Sequence, residues 1–546
     1  MKSCVMPVIV LLAALGGVAA AGADPSPFET GSAPPSQGPI DKLVFGKLQQ
    51  LGIPPANLCS DAVFVRRVYL DAIGTLPTAE EVKAFLADKS PGKRAELIDR
   101  LLERPEFADY WAMKWSDLLR VNAAAPINLW PNAAQAYHRW IRTSIRDNVP
   151  YDRFVREMLT ASGSNFRVPP VNFYRAVTTK DPASIAKAVA LTLMGERAER
   201  WPKERLAGMA ALFSQIGYKS TLEWKEEIVF RDFNKAGAPT SAVFPDGTAI
   251  ALPAGTDPRI VFADWLVTPK NAWFTRNIAN RVWSWLVGRG IVHEPDDIRP
   301  DNPPVSPELL ALLEKELVAA QYDLKRLYCL ILNSQTYQLS SVPQSDKPEA
   351  AANFACYPLR RLEAEVLIDA LNQISGTTEK YSSRVPEPYT WFPESQRAVA
   401  LPCSSLTSPF LQLFGRPARA TGLESERDNR ISDNQRLHLL NSNHIRNKVQ
   451  KTYDLRVLPR VKPPAEKGKA SAAETGVLPQ EIVAELYLTI LSRYPTDDEL
   501  KIVETSSPST SAKEKAPTPT AAERQQAVLI DLIWALFNSR EFLYRH

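Results

Sequence analysis

The sequence predicts a mainly α-helical protein: two helical domains joined by a small β-ribbon segment. Three observations lead there. Apolar residues recur at helical spacing through most of the 546 residues. The 45 prolines far outnumber the 23 glycines, a balance that suits many helix starts and stiff connections. Strand-like patterning is confined to one stretch, residues 222–257. The length suffices for two domains with a sizeable core. A net charge of +4 without a concentrated basic block argues against a dedicated nucleic-acid binder.

Residues 1–23 read as a secretory signal peptide: Lys2, an apolar run from Val5 to Ala20, and the small residues Ala21-Gly22-Ala23 at a cleavage site. Pro7 interrupts the run, which is short for a membrane span. Cys4 precedes it and so is not placed as a lipoprotein cysteine. The expected location is the bacterial cell envelope, periplasmic or extracellular, with no transmembrane span after cleavage. Export permits disulfides, but Cys59, Cys329, Cys356 and Cys403 form no C-x-x-C, and buried free thiols are the expectation. Residues 24–39 are a Pro/Ser/Gly linker.

The first helical domain spans 40–221. Ile40, Leu43, Val44, Leu48 and Leu51 mark one helical face. Ser60 caps the next helix and Gly74 ends it. Thr78 and Glu81 form a capping box, and Ser90-Pro91 opens a further helix. Phe107, Trp111 and Trp115, spaced by four, are read as core rather than as a sugar platform. Trp140, Trp273, Trp283 and Trp285 also sit among apolar helical neighbours, so the 12 tryptophans do not establish carbohydrate binding. EEIVF and SAVFPDGTAIAL predict short strands, the latter around a Pro-Asp-Gly turn. Residues 258–546 form the second helical domain, with low-complexity inserts at 461–476 and 505–521. GTLPTAEEVKAF…LLERPEF recurs as SRYPTDDELKIV…LFNSREF, with ILNSQTY as a weaker third copy. This predicts a repeated capped helical hairpin.

Chemistry has few candidates. The five histidines form no H-E-x-x-H, and no G-x-S-x-G or Walker loop appears. His438 and His444, six apart, are not expected on one helical face. The acidic stretch HEPDDIRPDNPP offers Asp296, Asp297 and Asp301, with Asn302 beside them, either as oxygen ligands for a hard cation or as partners of Arg299. Arg361, Glu365 and Asp369 are placed four apart on one helix face. Arg416, Glu424, Glu426 and Arg427 gather in FGRPARATGLESERDN, which suits either an ion-pair network or a polar pocket whose carboxylates do acid–base work. Arg281 joins Arg361, Arg416 and Arg427 as candidate anion ligands. No metal site is predicted.

FVRRVYLDAIGTLPTAEEVKAFL, LLERPEFADYWAMKWSDLLRV, FADWLVTPKNAWFTRNIANRVWSWLVGRGIVHEPDDIRPDNPP, RRLEAEVLIDALNQISG and FGRPARA, in this order, resemble the planctomycete-type, cytochrome-associated pair of domains of unknown function numbered 1549 and 1553. The resemblance covers most of residues 40–546 and implies export and association with a c-type cytochrome, with no settled activity. It also implies a C-x-x-C-H-x-H-P run before Trp201, a haem- or metal-ligand pattern. Here Gly195 is followed at once by ERAERW. Ser306 stands where the resemblance implies a histidine, and Leu423 and Ser425 where it implies cysteines. No haem or transition-metal cofactor is therefore expected. The expected function is a non-haem binding or scaffold protein of the envelope, partnered by another envelope protein or a separate c-type cytochrome. The alternatives are a hydrolase or other enzyme acting on envelope or extracellular polysaccharide with an acidic, Arg-lined site, and a docking partner of a c-type cytochrome.

Overall fold

In the computed structural model, the structure describes residues 26–546 except 32–33, 236–240, 254, 384, 386–391, 394, 462–479 and 507–519. The expected signal peptide and most of both expected low-complexity inserts lie outside the described residues. Among the described residues the chain is mainly helical, and no helix is long and apolar enough to cross a membrane.

Local chemistry sets the helix starts. Proline occupies the first turn of Pro39–Gln50, Pro105–Leu118, Pro131–Arg146, Pro182–Val189, Pro258–Leu266 and Pro307–Ala319, where its missing N–H costs no hydrogen bond. Ser60 accepts from Val63 N–H, and Gly74 ends Asp61–Ile73 in the left-handed region. Lys93–Leu102 begins two residues after Pro91, because Pro91 and Gly92 form a turn first. Residues 28–30 of the expected linker are stitched to the fold: Thr30 N–H donates to Leu58 O at 2.8 Å, and Ser60 N–H donates to Phe28 O at 3.1 Å.

The strand-like stretch becomes two separate sheets. Ser241–Val243 and Ala249–Ala251 make the expected hairpin. Glu227–Arg231 instead pairs on one side with Ile216–Ser220 and on the other with Gly163–Ser164, all antiparallel. The 216–220 strand falls in a region read from the sequence as helical.

The two helical regions share one continuous core. Phe107, Trp111 and Trp115 are all at most 3% exposed. Their ring partners include Tyr328 and Trp285, more than 150 positions further along; Trp111 lies 4.3 Å from Tyr328 and 5.4 Å from Trp285, centroid to centroid. Residues 360–361 pair with 544–545 as a short antiparallel ladder against this core. Cys59 and Cys403 are buried, and Cys329 and Cys356 half-buried.

The echo in the sequence is a repeated structure. Thr78 and Glu81 form a capping box at Ala79–Ala87, and Thr496 and Glu499 form another at Asp497–Thr505. In each copy the box glutamate and a glutamate of the later x-E-F segment are clamped by one arginine. Arg104 holds Glu81 at 2.9 Å and Glu106 at 2.6 Å. Arg493 holds Glu499 and Glu541, each at 2.7 Å. The arginines come from non-equivalent positions, one before Glu106 and one before the capping box. The 331–337 stretch lacks the clamp; Asp41 takes its Gln335 and Thr336 amides at 3.1 and 2.9 Å.

The Arg493 side chain is 6% exposed and that of Arg104 is 32% exposed, so the second clamp is the costlier to break. Arg493→Ala leaves two enclosed carboxylates unpaired and is expected to cost on the order of 3 kcal/mol, whereas Arg104→Ala should cost about 1 kcal/mol or less. Denaturation midpoints of the two variants in one buffer check the order; equal losses would contradict it.

Candidate functional site

The candidate residues converge on the interior, and nearly all of them are paired there. Asp296, fully buried, accepts from Arg281 Nη2 at 2.9 Å and from Glu424 N–H at 2.6 Å. Glu424 accepts from Trp285 Nε1 at 3.1 Å and lies 3.8 Å from Arg281 Nη1. Glu365, also fully buried, bonds Arg416 Nε at 3.2 Å and Arg427 Nη1 at 2.7 Å. Arg427 turns its other edge to Asp117 at 2.7 Å, and Asp117 also takes Arg419 at 2.8 Å. The 293–302 loop, the Ala364–Ser375 helix and the 416–427 segment are thus neighbours, joined as interior ion pairs rather than arranged around an open acidic pocket.

The remaining candidates are structural in geometry. Glu426 accepts the Ala420 and Thr421 amides at 2.9 and 3.0 Å, closing its own turn. Asp297 pairs with Arg200 at 3.0 Å and Arg299 at 3.2 Å, and Arg299 reaches Asp301 at 2.7 Å. Asn302 ties the loop by donating to His293 O and Asp297 O at 2.8 and 2.9 Å. Arg361 does not share the helix face of Glu365 and Asp369. The helix starts at Ala364, after Glu363 in an extended conformation, and Arg361 lies in the ladder with residues 544–545. Its guanidinium donates to backbone oxygens of Leu362, Phe414, Asp428 and Asn429. Among the described residues no group of three His, Cys, Asp or Glu side chains is placed to hold a metal ion.

Asp369 differs from the other acids. It accepts the Ala398 and Val399 amides at 2.7 and 3.1 Å, with Arg397 only as close as 3.7 Å. Burial pushes its carboxyl up to about 6, against the pull of Arg397 and the amides and with the charge of Glu365 adding to the rise. Glu365, one turn earlier, has the opposite balance. Burial alone would raise it, but Arg427 and Arg416 hold it at about 2.

Several residues of this interior were not singled out from the sequence. Arg545 lies 3.0 Å from Asp71 and 2.7 Å from Glu363, and Lys114 lies 2.6 Å from Glu363. The available signal was charge set among apolar helical neighbours: Arg66, Arg67 and Asp71 in FVRRVYLDAI, and Lys114 and Asp117 in YWAMKWSDL. Glu196, in the bare turn after Gly195, is 7% exposed and accepts from Trp201 Nε1 at 2.6 Å, Trp273 Nε1 at 2.5 Å and Arg205 Nη1 at 3.1 Å. His438 and His444 do meet, ring nitrogens 3.3 Å apart, because Ser442 breaks the chain into two helices between them.

A helical protein whose interior acids are tied to arginines and backbone amides is the class defined by this fold. Residues 39–206 match the family described as a protein of unknown function (DUF1549, PSCyt2), and residues 258–506 match that described as a protein of unknown function (DUF1553, PSD1). The chain belongs to the two-domain family that these regions define, the planctomycete-type, cytochrome-associated pair. No curated protein and no solved structure matched the chain.

The two neighbouring carboxylates give opposite pH signatures. Stability tied to protonated Asp369 is fully present below about pH 4 and lost as pH rises through about 6. Asp369→Asn removes that loss, so the variant should gain about 3 kcal/mol on wild type between pH 4 and pH 7. Stability from ionised Glu365 is present above its ordinary range and lost as pH falls toward about 2. Glu365→Gln, which leaves buried Arg416 without a carboxylate and Arg427 with Asp117 alone, should cost on the order of 3 kcal/mol at pH 7. Denaturation curves across pH 3–8 separate the two; parallel pH profiles would refute the assignment.

Proposed function

We propose that this chain is an exported cell-envelope protein that binds or scaffolds rather than catalyses, and that it works without haem or a transition metal. The observation that carries this reading is the saturation of the candidate acids. Asp296, Asp297, Glu365, Glu424 and Glu426 each accept from an arginine, an indole or backbone amides. A general acid or base needs a proton it can exchange with a substrate, and a carboxylate locked between arginines keeps its charge for structure. The non-haem part draws on the placement of the segments where the resemblance implies missing ligands. Gly195 O accepts Ile298 N–H at 2.8 Å, and Glu424 N–H reaches Asp296 at 2.6 Å. Those segments therefore meet beside the Arg281–Asp296 ion pair, which is 1% and 0% exposed. Ser306 is buried at the start of Pro307–Ala319.

One observation favours the hydrolase alternative. Glu365 and Asp369 are adjacent carboxylates whose environments push their proton affinities apart, the arrangement by which enzymes assign base and acid. Both are at most 6% exposed, which weighs against substrate access.

Purified full-length protein should release no reducing ends from envelope or extracellular polysaccharides, and should carry neither a Soret band nor stoichiometric transition metal. Glycan cleavage abolished by Asp369→Asn would establish the hydrolase instead, and bound haem would refute the non-haem reading.

A further inference from the structure

We infer that the groove beside the ladder of residues 360–361 and 544–545 is a binding site for a single-chain alkyl anion, a carboxylate or phosphate carried on a free hydrocarbon chain. The inference rests on the binding reading above and adds a ligand class and a place. The groove encloses about 700 Å³, within the roughly 300–1,000 Å³ typical of small-ligand sites. Its walls come from distant parts of the chain: residues 341–342, Leu359 just before the ladder, the helix Asp433–Asn441, and the 538–546 segment.

The walls are aliphatic and uncovered. Val342, Leu359, Ile431, Leu439, Leu440 and Leu543 all line the groove, and Leu359, Val342 and Leu440 are 59%, 41% and 38% exposed. Apolar side chains gathered around one concavity and left open to water mark an interaction site, which singly scattered ones do not. On the helix, Leu439 and Leu440 follow Arg436 by three and four positions, so all three share a face. That face is held in place. The capping box of Ser432 and Gln435 starts the helix, Gln435 Nε2 donates to Leu413 O at 2.8 Å, and Trp534 Nε1 donates to Leu440 O at 3.3 Å. Of the rings at the groove, Phe28 meets His546 edge-on at 6.0 Å and has Arg493 over it at 5.8 Å, and Tyr544 lies in the ladder. A wall of branched aliphatics without a free pair of rings suits a flexible alkyl chain rather than a flat aromatic ligand or a sugar.

The polar groups at the rim select the head of the ligand. Glu541 is clamped by Arg493 at 2.7 Å, and Arg436 is taken by Asp433 at 3.1 Å. Asn538 Nδ2 donates to Trp534 O at 2.9 Å. His546 O accepts from Arg67 at 2.8 Å, and burial, with Arg66 nearby, holds the His546 imidazole down at about 3, uncharged at neutral pH. Arg540 remains. It is exposed, lines the groove, and its guanidinium has no ion-pair or hydrogen-bond partner among the described residues. One unspent guanidinium over an aliphatic wall, with Glu541 already neutralised, complements a ligand with one anionic head and a hydrocarbon tail. A concave groove of this size receives a chain that is free in solution; a bilayer surface would call for a projecting one.

The test is isothermal titration of the full-length protein with dodecanoate, dodecyl phosphate, hexanoate, dodecyltrimethylammonium and dodecyl maltoside, each below its micelle concentration. The expected result is saturable binding of a dodecyl anion, tightening by roughly fourfold for each CH₂ buried between hexanoate and dodecanoate. The dodecyl cation should bind roughly tenfold more weakly than the dodecyl anions. Arg540→Gln, at an exposed side chain without a partner in the fold, should weaken the dodecyl anions by roughly tenfold with an unchanged thermal midpoint. It should leave dodecyl maltoside binding unchanged, whereas Leu440→Ser should weaken every dodecyl ligand. No saturable binding of either dodecyl anion would overturn the inference, as would equal binding of the dodecyl cation or an affinity independent of chain length. Flotation on phosphatidylglycerol vesicles without binding of soluble dodecyl anions would overturn it too, and would reassign the groove to a bilayer surface. Each of these failures leaves the non-catalytic reading standing, whereas glycan cleavage overturns that reading and not the groove.

Discussion

The fold depends on a few charges buried where helices from distant parts of the chain meet, and Arg545 joins two of the buried acids. It is 2% exposed, lies 3.0 Å from Asp71 and 2.7 Å from Glu363, and donates to Leu70 O and the Tyr110 hydroxyl. Burial opposes its charge, but Glu363, Tyr110 and Asp71 more than compensate and raise its proton affinity. Its contacts fix three elements at once: the Asp61–Ile73 helix, the Pro105–Leu118 helix and the entry to Ala364–Ser375. A buried ion pair is weak evidence for net stability, because removing two charges from water is costly. Its effect here is geometric. An alternative packing of the same apolar faces would leave Asp71 or Glu363 charged and unpaired in the core.

The same logic operates locally in the repeated hairpins. A capping-box glutamate must sit at a helix start to satisfy backbone amides. In both copies a second glutamate is carried beside it by the x-E-F segment, and two adjacent carboxylates need a cation. Arg104 and Arg493 meet that need from different places in the chain. The conserved quantity between the copies is therefore an electrostatic requirement, not a residue position. Arg66, at 1% exposure in the helix that leads into the first hairpin, donates to Ile490 O just before the second and to Phe542 O within it, which ties the two copies together.

What was legible in the sequence divides along sequence distance. Thr78–Glu81 and Thr496–Glu499 need only three residues, and proline at a helix start needs one; such features were read directly. The Phe107–Trp111–Trp115 stripe was read as core, and its ring contacts agree. The interior ion pairs were not, because Asp71 and Arg545 are joined across most of the chain and no local pattern names the partner. Arg361 was misplaced for a related reason: Glu363 is drawn to Lys114 and Arg545, which ends the helix before Arg361 can join it. The 216–220 strand was missed because its partner, 227–231, belongs to a sheet whose far edge is residues 163–164, more than 50 positions earlier in the sequence.

The turn after Gly195 brings the two kinds of charge together. Gly195 adopts a φ of +69°, and a side chain there would meet Ile298 at 2.8 Å and Pro295 O at 3.1 Å, so glycine lets the 295–298 loop lie against the turn. The next residue, Glu196, resembles a catalytic carboxylate in being enclosed and near a cleft. Three donors occupy it, however: two indoles and a guanidinium. It holds Trp201, Trp273 and Arg205 in fixed relation. As in the interior, the arginines nearby are held by acids: Arg276 by Glu314 at 3.3 Å, and Arg299 by Asp297 at 3.2 Å and Asp301 at 2.7 Å. The segment without cysteine or histidine thus fixes two indoles and a guanidinium around one carboxylate.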